Sequence, residues 1–289
     1  MKKLKQKQSN DINIISHQQM SLDQFYTTTE CAKKYYDIFT SNIDVDDYDI
    51  ILEPSAGTGS FYKLLPTHKR IGIDLEPKYK GIEKKNFFDF VPIKNTSYIV
   101  IGNPPFGKIS SIAVDFFNKS AEFANIIAFI LPRTFKRVSI QNQLNLNFHL
   151  IYNDDIPLKP CCFTPKMSAK CVFQIWEKKE IKRKLIKYDK THEDFTFVKL
   201  GPKDDKNQPT PPTTADFALK AYGSHCGEIV DLDLSKLRPK SWHWIKSNID
   251  VDKLKKRFKK LDYSMSEDTV RQDSIGQQEL IFLYKQKYT

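Results

Sequence analysis

The chain has 289 residues, 40% of them hydrophobic, with a formal net charge of +11 from 46 Lys+Arg against 35 Asp+Glu. That supports one large domain or two small ones around a buried core. No apolar run reaches the length of a membrane span, and the opening Met1-Lys2-Lys3-Leu4-Lys5 has no following signal-peptide core, so the expectation is an intracellular, cytoplasmic protein (nuclear in a eukaryote) with no membrane partner.

Residues 1–20 are polar and rich in Gln, Asn and Lys, which predicts a mobile tail. Residues 22–42 read as a loop and then a helix with Ala32, Tyr35, Tyr36 and Phe39 on one face. Apolar runs then alternate with helical segments. Strands are predicted at Ile50–Glu53, Arg70–Asp74, Tyr98–Gly102, Ile126–Leu131, Phe148–Asn153 and Lys170–Trp176. A helix is predicted to start at Gly59–Leu65, and an amphipathic helix to span Ser110–Ala124. Short continuous apolar strands separated by helices indicate a parallel sheet covered on both faces.

After Glu177 the character changes. Lys182, Arg183, Lys184, Lys187 and Lys190 form a basic stretch, and Gly201–Thr214 is polar and Pro-rich, so 181–214 reads as a linker. Structure resumes over 215–289, with Ala215–Tyr222, a turn at Gly223–Gly227, the Trp-rich Ser241–Ile245, a basic helix Val251–Leu261 and a strand-like Glu279–Tyr284. The five cysteines have no CxxC spacing, which argues against a zinc site and a disulfide framework; Cys161-Cys162 reads as reduced thiols in a loop, and no metal is expected. The positive charge suits a polyanion, and equally a genome that spends Lys codons freely.

Two motifs carry chemistry. In the first, a strand ending at Glu53 runs through Pro54-Ser55-Ala56-Gly57-Thr58-Gly59. Glycines let backbone approach a ligand closely, and a following helix start would offer free amides. The spacing lacks both the third glycine of the dinucleotide fingerprint and the lysine of a phosphate loop. The next strand ends at Asp74, with Leu75 beside it, where a carboxylate can accept from both hydroxyls of a ribose. In Asn86-Phe87-Phe88-Asp89-Phe90, Asp89 can accept from an adenine amino group while Phe90 packs on the ring.

In the second motif, Asn103-Pro104-Pro105-Phe106 follows a buried strand. The lone pair of an aromatic amine is delocalised, so the nitrogen is a poor nucleophile. An Asn side-chain oxygen and a following carbonyl can accept its two N–H bonds and favour a tetrahedral nitrogen with its lone pair free. Two prolines hold that carbonyl rigidly, and Phe106 offers a face for a stacked base.

In these motifs the chain resembles the S-adenosylmethionine-dependent amino-methyltransferases, most of all the DNA adenine-N6 methyltransferases whose cofactor motifs precede the catalytic one. Gln24-Phe25-Tyr26-Thr27 matches that family's N-terminal cofactor segment, with Thr28 in place of its usual proline. Leu52–Gly59 matches the glycine motif, Asp74 and Asp89-Phe90 the ribose and adenine positions, Asn103–Phe106 the catalytic tetrapeptide, and Phe129-Ile130-Leu131-Pro132 the strand after it. The resemblance covers 22–176 and implies an α/β, Rossmann-like methyltransferase domain over 21–180 with a mixed, mostly parallel sheet. It also implies S-adenosyl-L-methionine as cofactor, nucleic acid as partner (DNA favoured, RNA the alternative) and a base extruded from its stack. Residues 215–289 are then a smaller α+β target-recognition region.

The implied cofactor residues are Gln24, Phe25, Tyr26, Thr27, Glu53, Ser55, Ala56, Gly57, Gly59, Asp74, Leu75, Asp89 and Phe90. Family members often sandwich the base with an aromatic before the last hairpin; Phe163 is either that ring or the anchor of its loop. Arg133, Lys136, Lys255, Lys256 and Lys259 are candidate phosphate contacts; the last three share a basic helix face with Lys253, Arg257 and Lys260, and taken alone that face reads first as the solvated side of an amphipathic helix that buries Leu254, Phe258 and Leu261. A protein-glutamine methyltransferase, which typically carries Tyr after the prolines, and a catalytically silent partner subunit are the remaining alternatives.

Overall fold

Continuous apolar runs set the architecture of the first unit. The computed structural model describes residues 25–288, and within them two compact units divide at Lys184/Leu185. The expected tail over 1–20 and Gln24 lie outside the described residues. In chain order the first unit holds β1 (Tyr26–Thr27), α1 (Thr29–Asn42), β2 (Ile50–Glu53), β3 (Arg70–Asp74), β4 (Glu83–Lys84), β5 (Tyr98–Gly102), α2 (Ser111–Ala121), β6 (Ile126–Pro132), α3 (Val138–Gln141), β7 (Phe148–Ile156), β8 (Phe163–Thr164) and β9 (Cys171–Lys178).

Seven strands form one sheet in the order β4-β3-β2-β5-β6-β9-β7. Strands β2 to β6 pair in parallel, and β9 runs antiparallel to both neighbours. This is the Rossmann-like, mixed but mostly parallel sheet expected from the sequence. Every residue of β5 and β6 is buried, so neither face needs polar alternation. The strand order reverses between β2 and β5, which lie side by side. A crevice opens outside the carboxyl ends of strands at such a reversal.

Helix α1 starts where the Thr28 hydroxyl accepts from Cys31 N at 3.3 Å. It buries Cys31, Ala32, Tyr35 and Phe39. The Tyr35 ring lies 4.9 Å from Phe173, and its hydroxyl donates to Asp154 Oδ2 at 3.2 Å. Helix α2 packs Phe117 edge-on against Trp176 at 5.4 Å; burying a side chain of this kind contributes about 1.5–3 kcal/mol.

The segment Gly59–Leu65 does not start an α-helix. It makes one 3₁₀ turn at Tyr62–Leu64, and Leu65 is extended at φ −72°, ψ 146°. Pro66 disfavours helical backbone in the residue before it, which stops the segment after one turn.

The second unit is α+β, as expected. It holds β10 (Phe195–Phe197), β11 (Phe217–Lys220), β12 (Ile229–Val230), β13 (Trp242–Ser247), α4 (Val251–Lys259) and α5 (Gln277–Tyr288), with an antiparallel sheet ordered β10-β13-β11-β12. Two expectations are corrected here. The stretch 181–214 is not a linker: Phe195 is 1% exposed in the core beside Phe258 and Tyr284, and Gly201–Thr210 is a turn closed by Gly201 N to Thr210 O at 2.9 Å. Glu279–Tyr284 is helical, not a strand. The Glu279 carboxylate accepts from Gly276 N at 2.7 Å, and Leu280, Ile281 and Tyr284 are buried. A five-residue apolar run does not distinguish strand from buried helix; this capping contact does.

Candidate active site

The ends of β2 and β5 converge at the reversal. The turn after β2 has Gly57 at φ +45° and Gly59 at φ +76°, a region that side chains disfavour. Asp74, at the end of β3, accepts from Gly57 N at 2.7 Å through Oδ2 and from Glu76 N at 2.8 Å through Oδ1. Its carboxylate thus holds the glycine turn in shape, and each oxygen retains a further lone pair for a ligand hydroxyl. Ala56 is buried, donating to Ile73 O at 3.0 Å and accepting from Gly59 N at 2.6 Å. Leu75 is half-buried beside Asp74.

Asn103 sits one residue beyond β5. The Ser55 hydroxyl donates to its carbonyl at 3.1 Å, joining the glycine turn to the Asn-Pro-Pro-Phe segment. Asn103 Nδ2 donates to Phe25 O at 3.2 Å, whereas Oδ1 is buried and has no hydrogen-bond partner. With Nδ2 spent on a carbonyl, the amide is fixed with its acceptor unused. A buried acceptor without a partner costs about 1–3 kcal/mol, so the site is built for a donor that arrives from outside. Pro104 is buried, Pro105 and Phe106 are half-buried, and the Phe106 carbonyl accepts from Ala113 N at 3.4 Å, tying the segment to α2.

The N-terminal segment lies across both turns. Besides Phe25, the Thr27 carbonyl accepts from the Ser60 hydroxyl at 2.6 Å. Strand β1 pairs with β8, placing Tyr26 opposite Thr164 and Thr27 opposite Phe163. The Tyr26 ring packs so closely on the turn that a Cβ on Gly57 would lie 2.7 Å from it.

Glu53, the last residue of β2, is 3% exposed and accepts from Tyr62 N at 2.6 Å through Oε2. Burial pushes its carboxyl well above the ordinary value of 4.5, outweighing the Tyr62 N–H bond, which lowers it. The folded state therefore holds a proton that the unfolded chain releases above pH 4.5. The associated stability is complete below that pH and falls as pH rises toward the folded value, by at most about 1.4 kcal/mol per unit. Glu53→Gln, which mimics the protonated acid, is expected to remove this slope. In urea titrations the stability of the variant relative to the parent should climb with pH above 4.5; a pH-independent difference would exclude a buried proton.

Not every expected residue presents itself to a ligand. Phe163 is 4% exposed and paired against Thr27, so its ring anchors the loop and offers no face to a base. Phe163→Ala is expected to cost about 3–5 kcal/mol of stability; thermal unfolding checks this, and an unchanged midpoint would restore the stacking role. Phe90 is 7% exposed, with Tyr98 and Phe123 rings at 6.3 and 5.6 Å, so the core claims it. Asp89 is exposed at the end of a turn capped by Asn86, and the more accessible ring there is Phe88, at 41%. Arg133 and Lys136 both reach Asp155, at 2.9 and 3.3 Å, and so are not free cations awaiting a phosphate. Lys255 is likewise held by Asp231 and Asp252, at 2.8 and 2.7 Å, its ammonium pushed up to about 12 by those two bonds. Lys256 and Lys259 are exposed.

The sequence reading missed Tyr79. Its ring would be 3.3 Å from a Cβ on Gly59, is 41% exposed, and lies under Lys63 Nζ at 4.3 Å. Tyr26 and Tyr79 thus cover the two glycines of the turn. Among the described residues there is no cluster of His, Cys, Asp or Glu suited to a metal, none of the five cysteines is in a disulfide, and no helix is long and apolar enough to cross a membrane.

No known protein family matches the chain, and no curated protein matches it. Several solved structures are similar in fold. A protein of Pyrococcus horikoshii provisionally assigned as an RNA methyltransferase is 19% identical with a TM-score of 0.41, covering 55% of this chain and 89% of its own. The 23S rRNA methyltransferase ErmE is 15% identical with a TM-score of 0.39, covering 54% and 70%. A provisionally assigned class I S-adenosylmethionine-dependent methyltransferase of Listeria monocytogenes is 13% identical with a TM-score of 0.40, covering 56% and 63%. Likeness at this level carries no functional argument, and the fold assignment rests on the strand order and pairing of the chain itself.

Proposed function

We propose that the chain transfers a methyl group from S-adenosyl-L-methionine to the N6 amino group of an adenine in nucleic acid, with DNA the favoured substrate. The observation that carries the reading is the buried, unpartnered Asn103 Oδ1 at the end of β5, next to the glycine turn after β2. An exocyclic amine supplies the missing donor. As the amine becomes tetrahedral its N–H bonds grow more polar, so an acceptor fixed in advance stabilises the transition state more than the ground state. S-adenosylmethionine supplies an electrophilic methyl when bound, and no nucleophilic side chain is required. The turn at Gly57 and Gly59 gives backbone close approach, and Asp74 has lone pairs for ribose hydroxyls. Phe106, half-buried beside Asn103, is the ring left to stack an extruded base once Phe163 is assigned to the core.

The test is incubation with S-adenosylmethionine labelled in the methyl group, with duplex DNA, single-stranded DNA, RNA and protein offered separately, followed by digestion and mass spectrometry. Label in N6-methyladenine from DNA is the expected result. Label in RNA alone would move the substrate, label at cytosine N4 or guanine N2 would refute the adenine assignment, and label in protein glutamine would refute nucleic acid.

A further inference from the structure

Helix α4 carries a row of lysines that the active site does not use. Lys253, Lys256 and Lys260 follow one another at steps of three and four residues. At 3.6 residues per turn they fall within about 60° of one another, roughly opposite the buried Leu254, Phe258 and Leu261. With Asp250, Arg257 and Tyr288 they line an open cavity of about 380 Å³. A small-molecule pocket of this size is lined mainly by apolar residues; every residue that lines this one except Tyr288 carries a charge.

The charges in and around the cavity are unequally committed. Arg257 is bound to Asp194 at 2.7 Å and to the Tyr284 hydroxyl at 2.9 Å, so it braces the wall. Asp250 caps the helix, accepting from Lys253 N at 2.8 Å, and is the only carboxylate in the lining. Lys255 points its charge at Asp231 and Asp252 and is not part of the lining. No described carboxylate lies within 4.0 Å of the ammonium groups of Lys253, Lys256 or Lys260. Three lysines and Arg257 outnumber the one carboxylate of the lining, Asp250, and Asp252 acts on Lys256 only from beyond ion-pair distance, so a row of anions meets a net positive surface. From Lys253 to Lys260 the helix rises about 10 Å, the axial span of about three nucleotides at 3.4 Å each.

We propose that this lysine row is the phosphate-binding face of the second unit and that it grips the phosphodiester backbone of a nucleic acid. The proposal rests on the nucleic-acid reading above and narrows the basic face expected over Lys253–Lys260 to the three lysines that line the cavity. Ammonium groups on flexible stems suit this task, because each acts as a point charge and imposes no base preference.

The experiment measures binding of a fluorescent duplex oligonucleotide by anisotropy across a salt series. It compares the full chain, the Lys253→Gln/Lys256→Gln/Lys260→Gln variant, and a charge-matched control, Lys199→Gln/Lys203→Gln/Lys206→Gln, whose lysines are exposed elsewhere in the same unit. Circular dichroism and the unfolding midpoint establish that all three are folded. The expected result is a log–log salt slope shallower by about 2.7 in the first variant, from about 0.9 per phosphate contact, with the control unchanged. Between about 50 and 200 mM salt the advantage of the parent over the variant then shrinks roughly forty-fold. Equal slopes for parent and variant, an equal effect in the control, or a parent with no salt-dependent binding overturns the proposal. Methyl transfer by the parent to the same oligonucleotide reports separately on the catalytic reading. Transfer with an unchanged slope in the variant sinks the lysine face and leaves that reading intact; a lost slope without transfer does the reverse.

Discussion

Asn103→Ala is expected to lower methyl transfer by roughly 10²–10³-fold, the cost of deleting one preorganised group that stabilises developing charge, while calorimetry shows cofactor affinity within about threefold of the parent. The asymmetry follows from the geometry. Oδ1 is the buried atom without a partner, so its benefit appears only when an amine occupies the site. The Nδ2 bond to Phe25 O is lost in the same variant. That loss loosens the N-terminal segment, which is a reason for cofactor affinity to fall slightly and not for transfer to collapse. Saturating both substrates removes the binding contribution and leaves the chemical step. Transfer within threefold of the parent under those conditions would mean that Asn103 is a structural pin for Phe25, and the amine-acceptor assignment would be withdrawn.

The centre of the sheet was legible because β5 and β6 are buried on both faces. Runs such as Ile126–Pro132 have no polar position to confuse the pattern, and the glycine turn and Asn-Pro-Pro-Phe mark the ends of two strands that the strand order brings side by side. The choices that could not be read were those decided at a distance. Phe163 and Phe90 are aromatics in motif positions, and nothing local says whether such a ring faces a ligand or the core. Pairing with β1 decides the first, and the Tyr98–Phe123 cluster decides the second.

The same limit governs charge. Arg133, Lys136 and Lys255 look like free cations in sequence. Each meets an aspartate far along the chain, or on the adjacent turn in the case of Asp252. Subtracting those pairs and keeping the residues that line the cavity reduces the basic helix face to Lys253, Lys256 and Lys260. Tyr79 escaped notice for a related reason: it lies in a loop with no periodicity, and its packing on Gly59 depends on the chain folding back, with Lys78 N donating to Gly57 O at 2.9 Å.

Gly57→Val is the second large effect expected. At φ +45° a β-branched residue is strained, by about 1–3 kcal/mol. Its Cβ would also lie 2.7 and 2.8 Å from Tyr26 Cε1 and Cδ1. The strand that carries the ring cannot draw back, because β1 is paired to β8 on both its residues. The turn must therefore open, and the Gly57 N–H leaves Asp74, whose carboxylate is the proposed ribose acceptor. One distortion removes both close backbone approach and the oriented carboxylate. S-adenosylmethionine affinity should fall by roughly 10²-fold, or about 2.7 kcal/mol, with a drop in the unfolding midpoint of several degrees. Two further variants separate the causes. Gly57→Ala keeps the backbone strain with a smaller side chain and should lie between parent and Val. Adding Tyr26→Ala to Gly57→Ala removes the clash without curing φ, so it should recover midpoint more than affinity. If Gly57→Val unfolds earlier yet binds S-adenosylmethionine as the parent does, the glycine turn serves only to connect β2 to the Tyr62–Leu64 turn, and the cofactor must be sought elsewhere along the carboxyl edge of the sheet.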